Sequence, residues 1–173
     1  MKTFENKNKS LMSDSPKKAR EYALLCLDKK MYNYNSMLDK LLNRGFNRQL
    51  CIITVEQLVK EKLIDDYDFS RRYAIDSINF KKQGINRIVY ELRRKKVSEE
   101  VLDYITEEVY PMTLVSLEQI VQSRMRYINI QPDKFKEVTR LRNFLFRKGF
   151  AFQDIDRVIK NIGLPTEPEF CEY

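Results

Sequence analysis

Apolar residues recur at helical spacing through nearly the whole chain. Ala23, Leu24 and Leu27 form one stripe; Met37, Leu38, Leu41 and Leu42 form a second; Cys51, Val55 and Leu58 form a third. Such spacing places the apolar side chains on one face of a 3.6-residue helix. Phe69, Tyr73 and Phe80 then fall on the next expected helix, with Ile85, Ile88, Val89 and Leu92 on the one after it. Val101, Leu102 and Ile105 follow, then Leu114, Leu117, Ile120 and Val121, then Phe135, Val138, Leu141 and Leu145, and last Ile155, Val158, Ile159 and Ile162. No segment alternates with period two for long enough to predict a strand.

Punctuation between the stripes supports nine helices. Ser15-Pro16 is an N-cap followed by proline at the first helical position. Asn33-Tyr34-Asn35 breaks the first helix, and Gly45 fits the left-handed position that closes a helix. Asn47, Asp65-Asp66 and Ser98 are N-cap residues. Gly84 opens a helix, Pro111 is expected to close one, and a loop is expected to end at Pro132. Gly149 and then Gly163 with Pro165 read as stops.

The stripes repeat. Leu41, Gly45, Phe46 and Cys51 are echoed 51 residues later by Leu92, Lys96, Val97 and Leu102, and 53 residues after that by Leu145, Gly149, Phe150 and Ile155. A period near fifty marks stacked copies of one supersecondary unit. The expected fold is all-α: three tandem three-helix repeats at 15–64, 65–112 and 113–164, stacked into an elongated curved array. A polar arm at 1–14 precedes them, expected to be disordered, and an acidic tail at 165–173 follows. Three units can cap one another, so a monomer is expected.

Charge then narrows the function. The chain of 173 residues carries a net charge of +7. Residues 69–97 hold nine Lys or Arg against two carboxylates, and residues 124–148 hold eight against two. The excess therefore lies on the middle helices of the second and third repeats. Arg71, Arg72, Lys81, Lys82, Arg87, Arg94, Lys136, Arg140 and Arg147 are the candidate contacts for an anionic partner, since such groups neutralise phosphates or pair with carboxylates. One basic run is usually just a solvated helix face; recurrence on two equivalent helices favours a binding stripe. Lys17, Lys18 and Arg20 sit at a helix start, where the helix dipole disfavours cations. That misfit hints at a partner or at a basic arm.

Other chemistry is thin. There is no His, and Cys26, Cys51 and Cys171 form no CxxC pair. The catalytic motifs, phosphate loops and zinc spacings are absent, so no enzyme, metal or cofactor is expected. Phe46, Phe69, Tyr73, Phe135 and Phe150 read as core; Tyr32, Tyr34 and Tyr90 are better placed to be exposed. Asp65-Asp66 reads as a cap joining two repeats, not as a catalytic pair. The polar N-terminus lacks a signal-peptide core, no apolar run approaches a membrane span, and the odd cysteine count suits the cytoplasm.

Lys62 to Val97 contains LIDDYDFSRRYAIDSI-type and KKQGINRIVYELRRKKV segments, and AREYALLCL precedes them. An acidic pair followed by Phe and a small residue, then a Gly and an "RI…EL…K" helix, resembles the RecX family of bacterial recombination regulators. The resemblance covers roughly residues 17–162. Lys30, Asn33 and Ser70 stand where the family usually has Arg, Ser and Ala. The resemblance implies a protein that binds the RecA filament on single-stranded DNA, directly or through RecA, and lowers RecA ATPase, strand exchange and coprotease activity. The rival expectations are a helix-turn-helix DNA-binding module or transcription regulator without RecA specificity, and a helical scaffold that binds only protein.

Overall fold

The computed structural model describes residues 15–131 and 133–164. The expected N-terminal arm, Pro132 and the acidic tail lie outside them. Eight helices and no strand occur among the described residues: α1 (Pro16–Leu27), α2 (Tyr34–Arg44), α3 (Arg48–Lys60), α4 (Asp66–Asn79), α5 (Ile85–Arg94), α6 (Glu99–Asn129), α7 (Lys134–Arg147) and α8 (Phe152–Asn161). They fall into two compact units. One comprises the chain to Phe69 together with Lys95–Val97; the other comprises Ser70–Arg94 and the chain from Ser98.

Most boundaries follow from capping chemistry. The Asn33, Asn47 and Ser98 side chains accept hydrogen bonds from the N–H groups of Ser36, Gln49 and Val101. Asp65 accepts from Tyr67 and Asp68, as expected for a cap. Each satisfies a backbone donor that the first turn leaves without an intrahelical partner. Ser15 makes no such side-chain bond; Pro16, which has no N–H, is the feature that starts α1.

Two expectations are corrected. Pro111 does not end a helix: α6 runs for 31 residues with Pro111 inside it, and the expected boundary at 112/113 lies within that helix. An internal proline costs about 3 kcal/mol through a lost hydrogen bond and a ring clash. Here the buried stripe continues through it as Leu102, Ile105, Val109, Thr113, Leu117 and Val121. Each large apolar side chain removed from water contributes roughly 1.5–3 kcal/mol. Ending the helix would turn several of them away from the core, so tertiary burial outweighs the proline. Phe80 is the second correction. It lies beyond the end of α4 and is 81% exposed rather than facing the core.

The first unit has its own core of Ala19, Ala23, Met37, Leu41, Phe46, Cys51, Val55, Leu58 and Ile64. In the second unit, Leu117, Val121, Val138, Leu141, Leu145, Phe150, Ile155 and Ile159 cluster around α6, α7 and α8. Leu41, Leu92 and Leu145, the residues that echo one another, are all fully buried.

The echo extends to the backbone. Gly45, Lys96 and Gly149 all adopt positive φ, at 103°, 60° and 93°. It also extends to how loops are held. In the first unit the Asn33 side-chain amide donates to the Lys95 carbonyl at 2.9 Å, and the Asn35 amide to the Lys96 carbonyl at 2.7 Å. In the second unit the Gly84 N–H donates to the Lys148 carbonyl at 2.9 Å, and the Asn86 N–H to the Gly149 carbonyl at 3.1 Å. Asn33 and Gly84, and Asn35 and Asn86, are 51 residues apart; Lys95 and Lys148, and Lys96 and Gly149, are 53 apart. Equivalent carbonyls accept in both junctions, while the donors change from side-chain amides to backbone N–H groups. Asn33 is therefore both a cap and a strut, and it is fully buried.

Candidate partner-binding surface

The second unit carries all nine of the basic candidates. Arg87 on α5 meets Arg147 and Lys148 at the end of α7 in a cleft of about 340 Å³ that Gln83 and Phe144 complete. The two hydrogen bonds that the Gly84 and Asn86 N–H groups donate to the turn after α7 bring these cations together. Lys148 reinforces the arrangement, its ammonium donating to the Lys81 carbonyl at 3.1 Å. Gln83 Oε1 is buried in the same cleft without a partner.

Phe144 also lines a second groove, of about 190 Å³, between α6 and α7, with Arg124, Tyr127, Arg140 and the carboxylate of Glu137 around it and the buried Ile128 and Leu141 contributing apolar surface. Arg140, Phe144 and Arg147 follow one another at spacings of four and three residues along α7, so one helix face supplies both openings. Phe144 is 37% exposed and Tyr127 is 51% exposed.

Several candidate cations already have carboxylate partners. Arg71 pairs with Glu108 at 2.6 Å, and Arg87 and Arg94 share Glu91 at 2.7 and 3.6 Å. Arg140 pairs with Glu137. Exposed pairs of this kind contribute little to stability and leave part of the positive field available. Tyr90 lies 5.5 Å from the Arg87 guanidinium and 5.9 Å from that of Arg94, within cation–π range. Lys81 lies 4.9 Å over the Tyr73 ring. Lys82 takes a left-handed backbone with φ 53°, and Arg72 and Lys136 are exposed on α4 and α7. Arg87 and Arg147 therefore share the cleft and Arg140 stands at the adjoining groove. The arrangement can bind an extended anion by charge, with apolar ring surface beside it.

Of the three cations at the start of α1, Arg20 has a local partner. The Arg20 guanidinium donates to both Glu61 oxygens, at 2.9 and 2.8 Å. That bond holds its pKa above the usual arginine value. Asp65 and Asp66 are structural, as expected: Asp66 Oδ1 accepts the Tyr34 N–H at 2.7 Å. Burial pushes the Asp66 carboxyl above the ordinary range, and the Tyr34 bond partly opposes it. Tyr32 and Tyr34 are half-buried, whereas Tyr90 is 51% exposed.

Sequence reasoning did not single out Arg124, Tyr127, Phe144 or Lys148. Phe144 stands between Arg140 and Arg147 on the face already marked as basic, and that position was the available signal. Among the described residues no group of three His, Cys, Asp or Glu could hold a metal ion, and no helix is long and apolar enough to cross a membrane.

Taken together, these features define an all-helical protein built on three-helix repeat domains. Residues 65–103 match the family model described as RecX, second three-helix domain. Regulatory protein RecX of Clostridium tetani is 27% identical over 147 residues, covering 84% of this chain and 67% of that protein. RecX of Caldanaerobacter subterraneus is 25% identical over 146 residues, covering 83% and 70%. The crystal structure of RecX from Lactobacillus salivarius superposes with a TM-score of 0.77 at 18% identity, covering 87% of this chain and 98% of that one. At that identity the structural match establishes the fold. The family model, the relatives and the fold together support the resemblance to the RecX family, whose matched relatives are regulatory proteins.

Proposed function

We propose that this protein is a non-catalytic cytoplasmic regulator that binds the RecA filament on single-stranded DNA and lowers RecA ATPase, strand exchange and coprotease activity. On this reading it acts as a monomer of three repeats at 15–64, 65–112 and 113–164. The supporting observation is the cleft that joins Arg87 to Arg147 and Lys148. Cations from separate helices on one surface suit an extended polyanion, or acidic protein beside a nucleic-acid backbone, better than a small substrate. Arg71, Arg72, Lys81, Lys82, Arg94, Lys136 and Arg140 extend the same contact.

The test is RecA ATPase on single-stranded DNA with this protein titrated in. The wild-type chain inhibits, and inhibition weakens as salt rises, because exposed charges more than about 10 Å apart are screened at 0.1 M. The combined variant Arg87→Gln, Arg94→Gln, Arg140→Gln and Arg147→Glu loses inhibition while keeping its helical circular dichroism. Glutamine is used where Glu91 or Glu137 is the neighbour, so that no like charges are forced together. Unchanged inhibition by that variant removes the basic surface from the mechanism.

A further inference from the structure

The outward face of α6 has no account in the packing of the second unit. Glu100, Tyr104, Glu107, Pro111, Val115 and Glu118 follow one another at spacings of four, three, four, four and three residues. They form one stripe about 27 Å long at 1.5 Å per residue. All six are exposed, Tyr104 at 55% and Val115 at 54%, with Met112 beside Val115 at 39%. Apolar side chains scattered singly over a surface are ordinary; aligned on one helix face they mark a place where a partner sits.

Charge selects the partner. From Glu99 to Ser123, α6 carries six carboxylates and no Lys or Arg. Acids in the first turn suit the helix dipole, which accounts for Glu99 and Glu100. Glu107 and Glu118 lie about two and five turns further in, where that effect has gone. The cations that neighbouring elements bring to this part of α6 pair with carboxylates outside the stripe: Arg93 with Glu99, Arg71 with Glu108 and Arg157 with Asp154. Arg93 also acts on Asp103, at the edge of the stripe. Like charge disfavours nucleic acid here, and it disfavours the same stripe of a second copy, which would add carboxylates and no cation. Pro111 gives a separate reason. Its ring stays exposed at the middle of the stripe, and with no N–H it leaves the Glu107 carbonyl without the donor that the fourth residue on would supply. The proline costs helix stability, and a donor from outside the helix can use the acceptor it leaves.

We propose that this face of α6 docks a basic amphipathic helix of a partner protein. Apolar side chains of that helix rest against Tyr104, Pro111 and Val115, and its Lys or Arg side chains reach Glu107, Glu118 and the Glu107 carbonyl. The surface shares no residue with the basic cleft and does not depend on the RecA reading. The cleft suits an anionic partner, and this face a cationic one.

The probe is an alanine-based helical peptide of about 18 residues, about 27 Å long, with Lys and Leu gathered on one face. Its control has the same composition with the Lys and Leu spread around the helix. Titrated into the full chain, the probe shifts the amide resonances of Tyr104, Glu107, Met112, Val115 and Glu118 more than those elsewhere. Fluorescence anisotropy gives the control an affinity on the order of tenfold weaker, because its apolar side chains cannot engage the stripe together. Glu107→Lys combined with Glu118→Lys weakens the probe by a similar factor, since two exposed ion pairs are lost and reversed. Pro111→Ala weakens it several-fold while the melting temperature rises, which separates docking from folding. No saturable binding, equal binding of probe and control, shifts centred outside α6, or unchanged affinity in both variants overturns the proposal. A dimer in sedimentation that Val115→Lys dissociates assigns the face to a second copy and overturns it as well.

Discussion

Gly84 gives the sharpest test of how the second unit is assembled. A Cβ added there would sit 2.4 Å from the Phe150 nitrogen and 2.5 Å from both the carbonyl carbon and oxygen of Gly149. These are backbone atoms, so no side-chain rotation relieves the clash. Reaching an ordinary contact near 3.4 Å requires a separation of about 1 Å. That movement would stretch the Gly84–Lys148 and Asn86–Gly149 hydrogen bonds, now 2.9 and 3.1 Å, beyond useful length. Two lost hydrogen bonds cost about 1–3 kcal/mol. Loosening Phe150, which is 3% exposed, adds about 1–2 kcal/mol for partial loss of its burial. The smaller unfolded-state entropy of alanine returns about 0.4–1 kcal/mol. Gly84→Ala should therefore destabilise by about 2–4 kcal/mol, a fall of roughly 4–16 °C in the melting temperature for a protein of this size.

Gly45→Ala is the matched control. Gly45 has φ 103°, yet nothing lies within 4 Å of its hypothetical Cβ, so only the left-handed backbone penalty of about 1–2 kcal/mol applies. Thermal and urea denaturation followed at 222 nm give both values, with Gly84→Ala assigned to the transition of the second unit should the two units melt separately. A Gly84→Ala loss no larger than that of Gly45→Ala would refute the close-packed junction.

Further outcomes follow from single residues. Ser70→Ala should stabilise by about 1 kcal/mol, because the Ser70 hydroxyl is fully buried with no partner and burying an unpaired polar group costs about 1–3 kcal/mol; a lower melting temperature would show that the hydroxyl is satisfied. Pro111→Ala should stabilise by about 1–3 kcal/mol, since it restores an N–H inside a continuous helix; destabilisation in denaturant titration would mean that the proline terminates α6. Asp66→Asn should become progressively more stable than the native chain as pH rises from 3 to 7. Burial raises the native carboxyl's pKa, so the unfolded state loses its proton first and the native fold weakens across that interval, while asparagine can still accept from Tyr34. Parallel pH curves for the two chains would disprove that assignment.

The repeat phase was legible in the sequence because burial and backbone conformation follow the same period. Leu41, Leu92 and Leu145 mark it through their side chains, and the positive φ of Gly45 and Gly149 could be read from residue type. Lys96 could not be read that way. Its left-handed conformation is held by context: its carbonyl accepts from Asn35, and its ammonium pairs with Asp39 at 2.9 Å. Pro111 misled for the opposite reason, since local propensity signals a stop while a buried stripe on both sides of it continues the helix. Phe80 misled because its apolar spacing runs one residue past the end of α4.

The candidate surface was legible as charge but not as shape, and the repeat period links the two. Lys148 follows Arg147 on a turn whose carbonyls are held by Gly84 and Asn86, so the bonds that dock the loop before α5 also draw Arg87 to the end of α7. The equivalent turn in the first unit presents Lys95 and Lys96, but there Lys96 is engaged by Asp39 and Lys95 lies 6.0 Å from the Phe69 ring centroid. One junction geometry thus accompanies two electrostatic outcomes: a lysine ion-paired in the first unit, and a basic cleft in the second. Loosening the second junction should weaken partner binding as well as stability. Gly84→Ala assayed well below its melting temperature then separates a surface that needs cleft geometry from one that needs only net charge, because the substitution leaves every charge in place.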